Sequence, residues 1–113
     1  MTTPRAGTDP LYLLLSDEQV NAFNRQRGSG KVCDFKGLLF RGRDLRGLDA
    51  RGIDFSDAYF RDADLRGIDF RESNLEGASL SRAKISGAYF PPELTAEEIR
   101  LSVEFGTRLR YRR

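Results

Sequence analysis

Every fifth residue from Phe35 to Phe90 is apolar: Phe35, Phe40, Leu45, Ala50, Phe55, Phe60, Leu65, Phe70, Leu75, Leu80, Ile85 and Phe90. In a chain that is 39% hydrophobic, chance would fill all of these positions roughly once in 10⁵ trials. Written in fives, residues 33–92 read CDFKG LLFRG RDLRG LDARG IDFSD AYFRD ADLRG IDFRE SNLEG ASLSR AKISG AYFPP. The first letter is small or apolar except at Arg43 and Ser73. A helix repeats about every 3.6 residues and a strand about every two, so neither accounts for a period of five. A chain that turns a corner every five residues does. Four corners close a square coil, and positions twenty apart then stack: Phe35 under Phe55 under Leu75, and Phe40 under Phe60 under Leu80. Successive coils would bond through their backbones at the usual strand spacing of ~4.8 Å.

The blocks Ala63-Asp64-Leu65-Arg66-Gly67 and Ser73-Asn74-Leu75-Glu76-Gly77 resemble the consensus A(D/N)LXX of the pentapeptide-repeat family. The resemblance spans residues 33–92 and recurs in phase throughout. It implies an all-β solenoid, a right-handed quadrilateral β-helix of about three coils. Short N-terminal helices and a C-terminal helix are expected as caps. Two positions depart from the pattern. Arg43 stands where a small inward residue belongs, so its guanidinium must escape at the open first coil or the corner must distort. Ala50 leaves space that Phe70 of the next coil is expected to fill.

The chain divides as one domain into a helical N-terminal cap (residues 1–31), the repeat (32–92), and a C-terminal helix with a basic tail (93–113). Asp9-Pro10 reads as a helix start. Ser16 to Gln19 reads as a capping box opening a second helix, which Gly28 would end. Leu11, Leu14, Leu15, Val20 and Phe23 are expected to face the first coil, and Gly28-Ser29-Gly30 to form a flexible joint. Beyond Pro91-Pro92, Thr95 to Glu98 is a further capping box, with Gly106 as the stop. This helix is expected to cover the last coil. Ile99 and Val103 share one face and Leu101 and Phe105 lie roughly opposite, which leaves a homodimer contact through one face as an option beside simple packing on the coil. The gyrase-protecting members of the family dimerise through C-terminal elements, and the resemblance implies the same option here. In the tail, Leu109 and Tyr111 alternate with Arg108, Arg110 and Arg112, as in an edge strand or a basic arm. Caps on both sides suggest a complete protein.

Chemistry is sparse. The 113 residues carry 19 Lys+Arg against 17 Asp+Glu and no His, which removes the commonest general base and metal ligand. The single cysteine, Cys33, excludes a disulfide scaffold and points to a reducing, cytoplasmic compartment. It lies at an inward position with nothing to activate it. No apolar run approaches a membrane span or a signal peptide's apolar region. The recurrent aspartates suit turns that bond neighbouring amides. A catalytic pair needs two different environments, and a repeat offers one environment many times. No catalytic, cofactor-binding or metal-binding residue is therefore expected, and the chain reads as a non-enzyme.

The functional candidates are surfaces. Stacking by twenty places Arg41 under Arg61, Arg46 under Arg66 and Arg51 under Arg71, with aspartates between them. With Arg108, Arg110 and Arg112 these form a candidate interaction surface. Ile99, Leu101, Val103 and Phe105 form a candidate dimer contact. The expected role is a protein-interaction scaffold or regulatory adaptor with an unidentified protein partner. Nucleic-acid or anion binding through the arginine faces is the alternative. Topoisomerase inhibition by duplex mimicry fits less well, because three coils are short and the repeat is not acidic.

Overall fold

The computed structural model describes residues 7–28 and 31–112; the expected joint at Ser29 and Gly30 lies outside them. The twenty-residue spacing is visible in the backbone. Strand β1 (Cys33–Asp34) pairs in parallel with β2 (Ile53–Asp54), residue 33 against 53. Single parallel bridges continue the same offset at Leu39–Tyr59, Asp44–Asp64, Asp54–Asn74, Tyr59–Ser79, Asp64–Lys84 and Asp69–Tyr89. Named strands are few because a five-residue side spends most of its length turning.

Each corner is a β-turn closed from the central letter to the next first letter, as in Leu38 N to Phe35 O at 3.2 Å and Ala58 N to Phe55 O at 3.0 Å. Its third residue, the fifth letter, takes a positive φ at most corners, though not at Glu72. Glycine fills that role cheaply in most blocks. Asp57, Asp62 and Arg82 adopt it without being glycine, at φ 58°, 61° and 55°. Between levels, a third-letter N–H donates to the second-letter carbonyl above: Phe35 N to Asp54 O at 2.9 Å, Phe40 N to Tyr59 O at 2.8 Å. A second-letter N–H donates to the first-letter carbonyl below: Tyr59 N to Leu38 O at 3.0 Å, Asp64 N to Arg43 O at 2.9 Å.

The central letters fill the interior. Phe35, Phe40, Phe55, Phe60 and Phe70 are fully buried. Phe40 stacks on Phe60 with ring centroids 5.3 Å apart, and Phe35 meets Phe55 at 6.1 Å. Ser73, a polar first letter, donates its hydroxyl to Ala50 O at 2.7 Å. Arg43 keeps the regular backbone pattern, accepting from Asp64 N at 2.9 Å, so its corner is not distorted. Its side chain is half-buried, and the buried Nε has no hydrogen-bond partner.

The N-terminal cap closes the first coil with side chains. Helix α1 (Pro10–Ser16) starts at Asp9, whose carboxylate accepts from Leu11 N at 2.8 Å. The expected capping box from Ser16 to Gln19 does not form. Ser16 ends α1, and α2 (Val20–Arg27) begins after Gln19 with no side-chain cap. Glu18 instead reaches the coil and accepts from Asp44 N at 2.5 Å. Tyr12 donates to Leu39 O at 2.7 Å, and Asn24 bridges Gly47 O and Asp49 N at 3.0 Å each. Leu15, Val20 and Phe23 are buried beneath the first coil, with Leu11 and Leu14 partly buried against it.

Arg27 is the sharpest piece of this cap. It is 2% exposed, and its guanidinium donates to Lys31 O, Arg51 O and Asp49 O at 2.5, 2.5 and 2.6 Å. It therefore straddles Ala50 from below, while Phe70 packs above among Phe55, Phe60 and Phe90.

At the other end, α3 (Ala96–Phe105) is capped by Thr95, which accepts from Glu98 N at 3.1 Å, and stops at Gly106 with φ 73°. The residues that α3 buries are Glu98 and Ser102. The tail then returns across the last coil. Arg108 bridges Ser79 antiparallel, Gly77 N donates to Leu109 O at 2.7 Å, and Leu109 N donates to Ala78 O at 2.8 Å.

Candidate interaction surfaces

The arginine faces are built from a short local motif. In six blocks the second-letter aspartate accepts from the backbone N–H two residues on, an Asx turn, and in four of them the fourth letter is an arginine. The fourth-letter arginine then folds back onto the same carboxylate. Arg46 grips Asp44 at 2.9 and 2.8 Å, and Arg51 grips Asp49 at 2.9 and 2.8 Å. Arg66 grips Asp64 at 2.9 and 2.7 Å, and Arg71 grips Asp69 at 3.0 and 2.8 Å. Arg46 also lies 3.4 Å from Asp64 one level above. These bidentate bonds hold the Asp44 and Asp69 carboxyls down at about 2, and push Asp49 and Asp64 below the usual carboxylate range. Off the motif, Arg82 bonds Asp62 at 3.0 Å across one coil, and Arg61 is 3.8 Å from the same residue. Arg41 is exposed, and its charge helps to lower the Asp62 pKa after that of Arg82 and Arg61.

The tail arginines have structural partners. Arg108 donates to Gly77 O and Tyr59 OH at 2.8 Å each. Arg110 holds Glu98 at 3.0 and 3.2 Å, keeping that carboxyl below its ordinary range. The basic arm considered from sequence is thus a docked strand up to Arg112, with Leu109 1% exposed and Tyr111 OH accepting from Leu75 N at 2.8 Å. Arg112 is itself exposed, although its N–H donates to Glu93 O at 2.8 Å.

Helix α3 turns a polar face inward and leaves apolar side chains on both flanks. Phe105 is 72% exposed, and Leu101 beside it is half-buried. On the other flank, Ile99 and Val103 join Ile85 and Ala96 around a shallow hollow of about 340 Å³, bordered by Arg100 and Glu104. Ile99 and Val103 pack, partly buried, against the core, and between the two flanks Ser102 accepts from Leu80 N at 2.9 Å and donates to Thr107 O at 2.6 Å. The four residues named as a dimer contact therefore do not form one patch, because the helix divides them between its flanks. No signal in the sequence marked Ile85 as part of such a surface, because its letter belongs to the core set.

A second, larger hollow of about 830 Å³ lies between α2 and the first coil, lined by charges of both signs that include Glu18, Arg25, Asp44 and Arg46. Cys33 is buried, and desolvation raises its thiol pKa. Among the described residues, no cluster of three His, Cys, Asp or Glu side chains is placed to hold a metal, and no helix is long and apolar enough to cross a membrane.

The sequence model of the pentapeptide repeats matches residues 33–71 and 53–90 with eight copies. The chain belongs to the pentapeptide-repeat family. Its repeat covers just over half of the sequence, and the family's general architecture is a β-helix. Pentapeptide-repeat proteins are generally not enzymes. No curated protein and no solved structure matches the chain.

Proposed function

We propose that this pentapeptide-repeat protein is a non-enzymatic interaction module of the cytoplasm, a small right-handed quadrilateral β-helix that docks another protein through its C-terminal end. One contrast carries the reading. The lateral arginine faces are neutralised by their own aspartates, whereas the C-terminal end presents apolar side chains on both flanks of α3. The carboxylates that already grip Arg46, Arg51, Arg66 and Arg71 bidentately compete with any phosphate for them. This argues against nucleic acid as the main partner. The Cα envelope is 35 Å in its longest dimension and the net charge is +2, so duplex mimicry has neither the length nor the charge.

The test is capture of partners from host lysate by the tagged full chain, with and without nuclease, beside Val103→Glu and Phe105→Glu variants. A stoichiometric protein that survives nuclease and is lost with either variant supports the reading. Capture that depends on nucleic acid overturns it. Sedimentation of the purified protein separates a second copy from a foreign partner, since a homodimer would become monomeric in the same variants.

A further inference from the structure

The last coil is closed on only part of its rim. In this ladder a fifth-letter N–H also donates upward, to the fourth-letter carbonyl, as in Gly37 N to Ser56 O at 2.9 Å and Gly42 N to Arg61 O at 2.8 Å, so the third- and fifth-letter N–H groups of the top level point past the last coil. In residues 73–77 those donors are met by Tyr111 OH (from Leu75 N, 2.8 Å) and Leu109 O (from Gly77 N, 2.7 Å). In residues 78–82 they are met by Ser102 Oγ (from Leu80 N, 2.9 Å) and Val103 O (from Arg82 N, 2.9 Å). In residues 83–87 the same donors are Ile85 N and Gly87 N, and no acceptor among the described residues meets either. The apolar hollow of Ile85, Ala96, Ile99 and Val103 begins at this same side.

We infer that residues 83–87 are a docking edge for an extended segment of the partner protein carrying one large aliphatic side chain. Its backbone carbonyls, spaced along a strand, accept from Ile85 N and Gly87 N. Its aliphatic side chain enters the hollow between Ile85 and α3. The molecule supplies the template elsewhere on the same rim. There the extended tail adds antiparallel at Ser79, lends Leu109 O to Gly77 N, and buries the Leu109 side chain at 1% exposure. Strand addition of this kind takes affinity from backbone bonds and selectivity from the pocket. The inference rests on the interaction reading above and specifies where and how the partner binds.

The test uses the full chain as bait for a displayed library of linear heptapeptides, followed by amide exchange with the strongest binder. Enriched peptides should share one Leu, Ile or Met. Binding should slow exchange at Ile85 and Gly87 at least tenfold and leave Ser86 little changed. Val103→Glu should weaken binding at least tenfold, while Phe105→Glu on the opposite flank should not. The exchange readout uses the unmodified protein, so it decides the matter even if a variant does not fold. Binders that protect other amides, or an unenriched library, overturn the inference. So does concentration-dependent protection of Ile85 and Gly87 in the free protein, which would make a second copy the occupant. A lysate partner that depends on Val103 but leaves those two amides unprotected would keep the interaction module and discard the strand edge.

Discussion

Arg27 shows what a single side chain contributes at the rim. Three carbonyls and the charge of Asp49, 3.4 Å away, depend on one buried guanidinium. Replacing Arg27 with Met should cost about 2–4 kcal/mol in urea unfolding, because it strands buried acceptors. Arg27→Lys should fall between, since an ammonium is a point donor without the planar fork. The aspartates make a separate prediction. Asp44 and Asp69 have folded-state pKa values near 2, below the ~3.9 of an unfolded Asp. A depressed carboxyl contributes stability that is present above the unfolded value and lost as pH falls through the folded one. Melting temperature should therefore hold from neutral pH to about 4 and drop between about 4 and 2. Arg46→Gln with Arg71→Gln should shrink that drop, because the folded-state carboxyls then titrate closer to the unfolded value. The effect per pair is modest, because these pairs are exposed to solvent.

At the scale of elements, α3 is held by polar bonds at its centre as well as by Ile99 and Val103 packed against the core. Ser102→Ala removes the acceptor for Leu80 N and the donor to Thr107 O together. It should cost about 1–3 kcal/mol in denaturant unfolding, with loss of amide protection beginning at Leu80. The repeat was legible from sequence because its physical cause is local: one apolar letter inward and one turn per block. The ends of α3 were legible for the same reason, through Thr95 and Gly106. Its inward face was not, since a serine that satisfies two backbone groups looks like any solvent-facing serine. Arg27 was equally hidden. Nothing in residues 20–27 shows that an arginine near the end of α2 will reach under Ala50, because that contact spans more than twenty residues. The arginine faces were placed in sequence, but the fold-back of each arginine onto the aspartate two residues earlier became visible only in side-chain geometry.

Across the whole molecule, the stacked phenylalanines tie the levels into one interior. Phe60 touches Phe40 below it, and Phe55 and Phe70 beside it, at centroid distances of 5.3, 5.2 and 6.3 Å. Phe60→Ala should cost about 3–5 kcal/mol. If the interior is one cooperative unit, the loss should shift the urea midpoint without changing the slope. A changed slope or a second transition would mean that the levels melt separately, as stacked repeats can.

The turn at every fifth residue also fixes an angle. Each block advances the chain a quarter of the way round, and four blocks restore the starting azimuth one level higher. The face on which α1 and α2 sit and the face on which residues 83–87 lie open are therefore geared to each other by the number of blocks between them. One added block would swing the docking edge by about 90° and raise it only ~1.2 Å, a quarter of the spacing between levels. Four would lift it a full level and leave its bearing unchanged. Two chains of nearly equal length can thus present the same edge in different compass directions, and a partner that contacts both ends reads the block count as well as the residues.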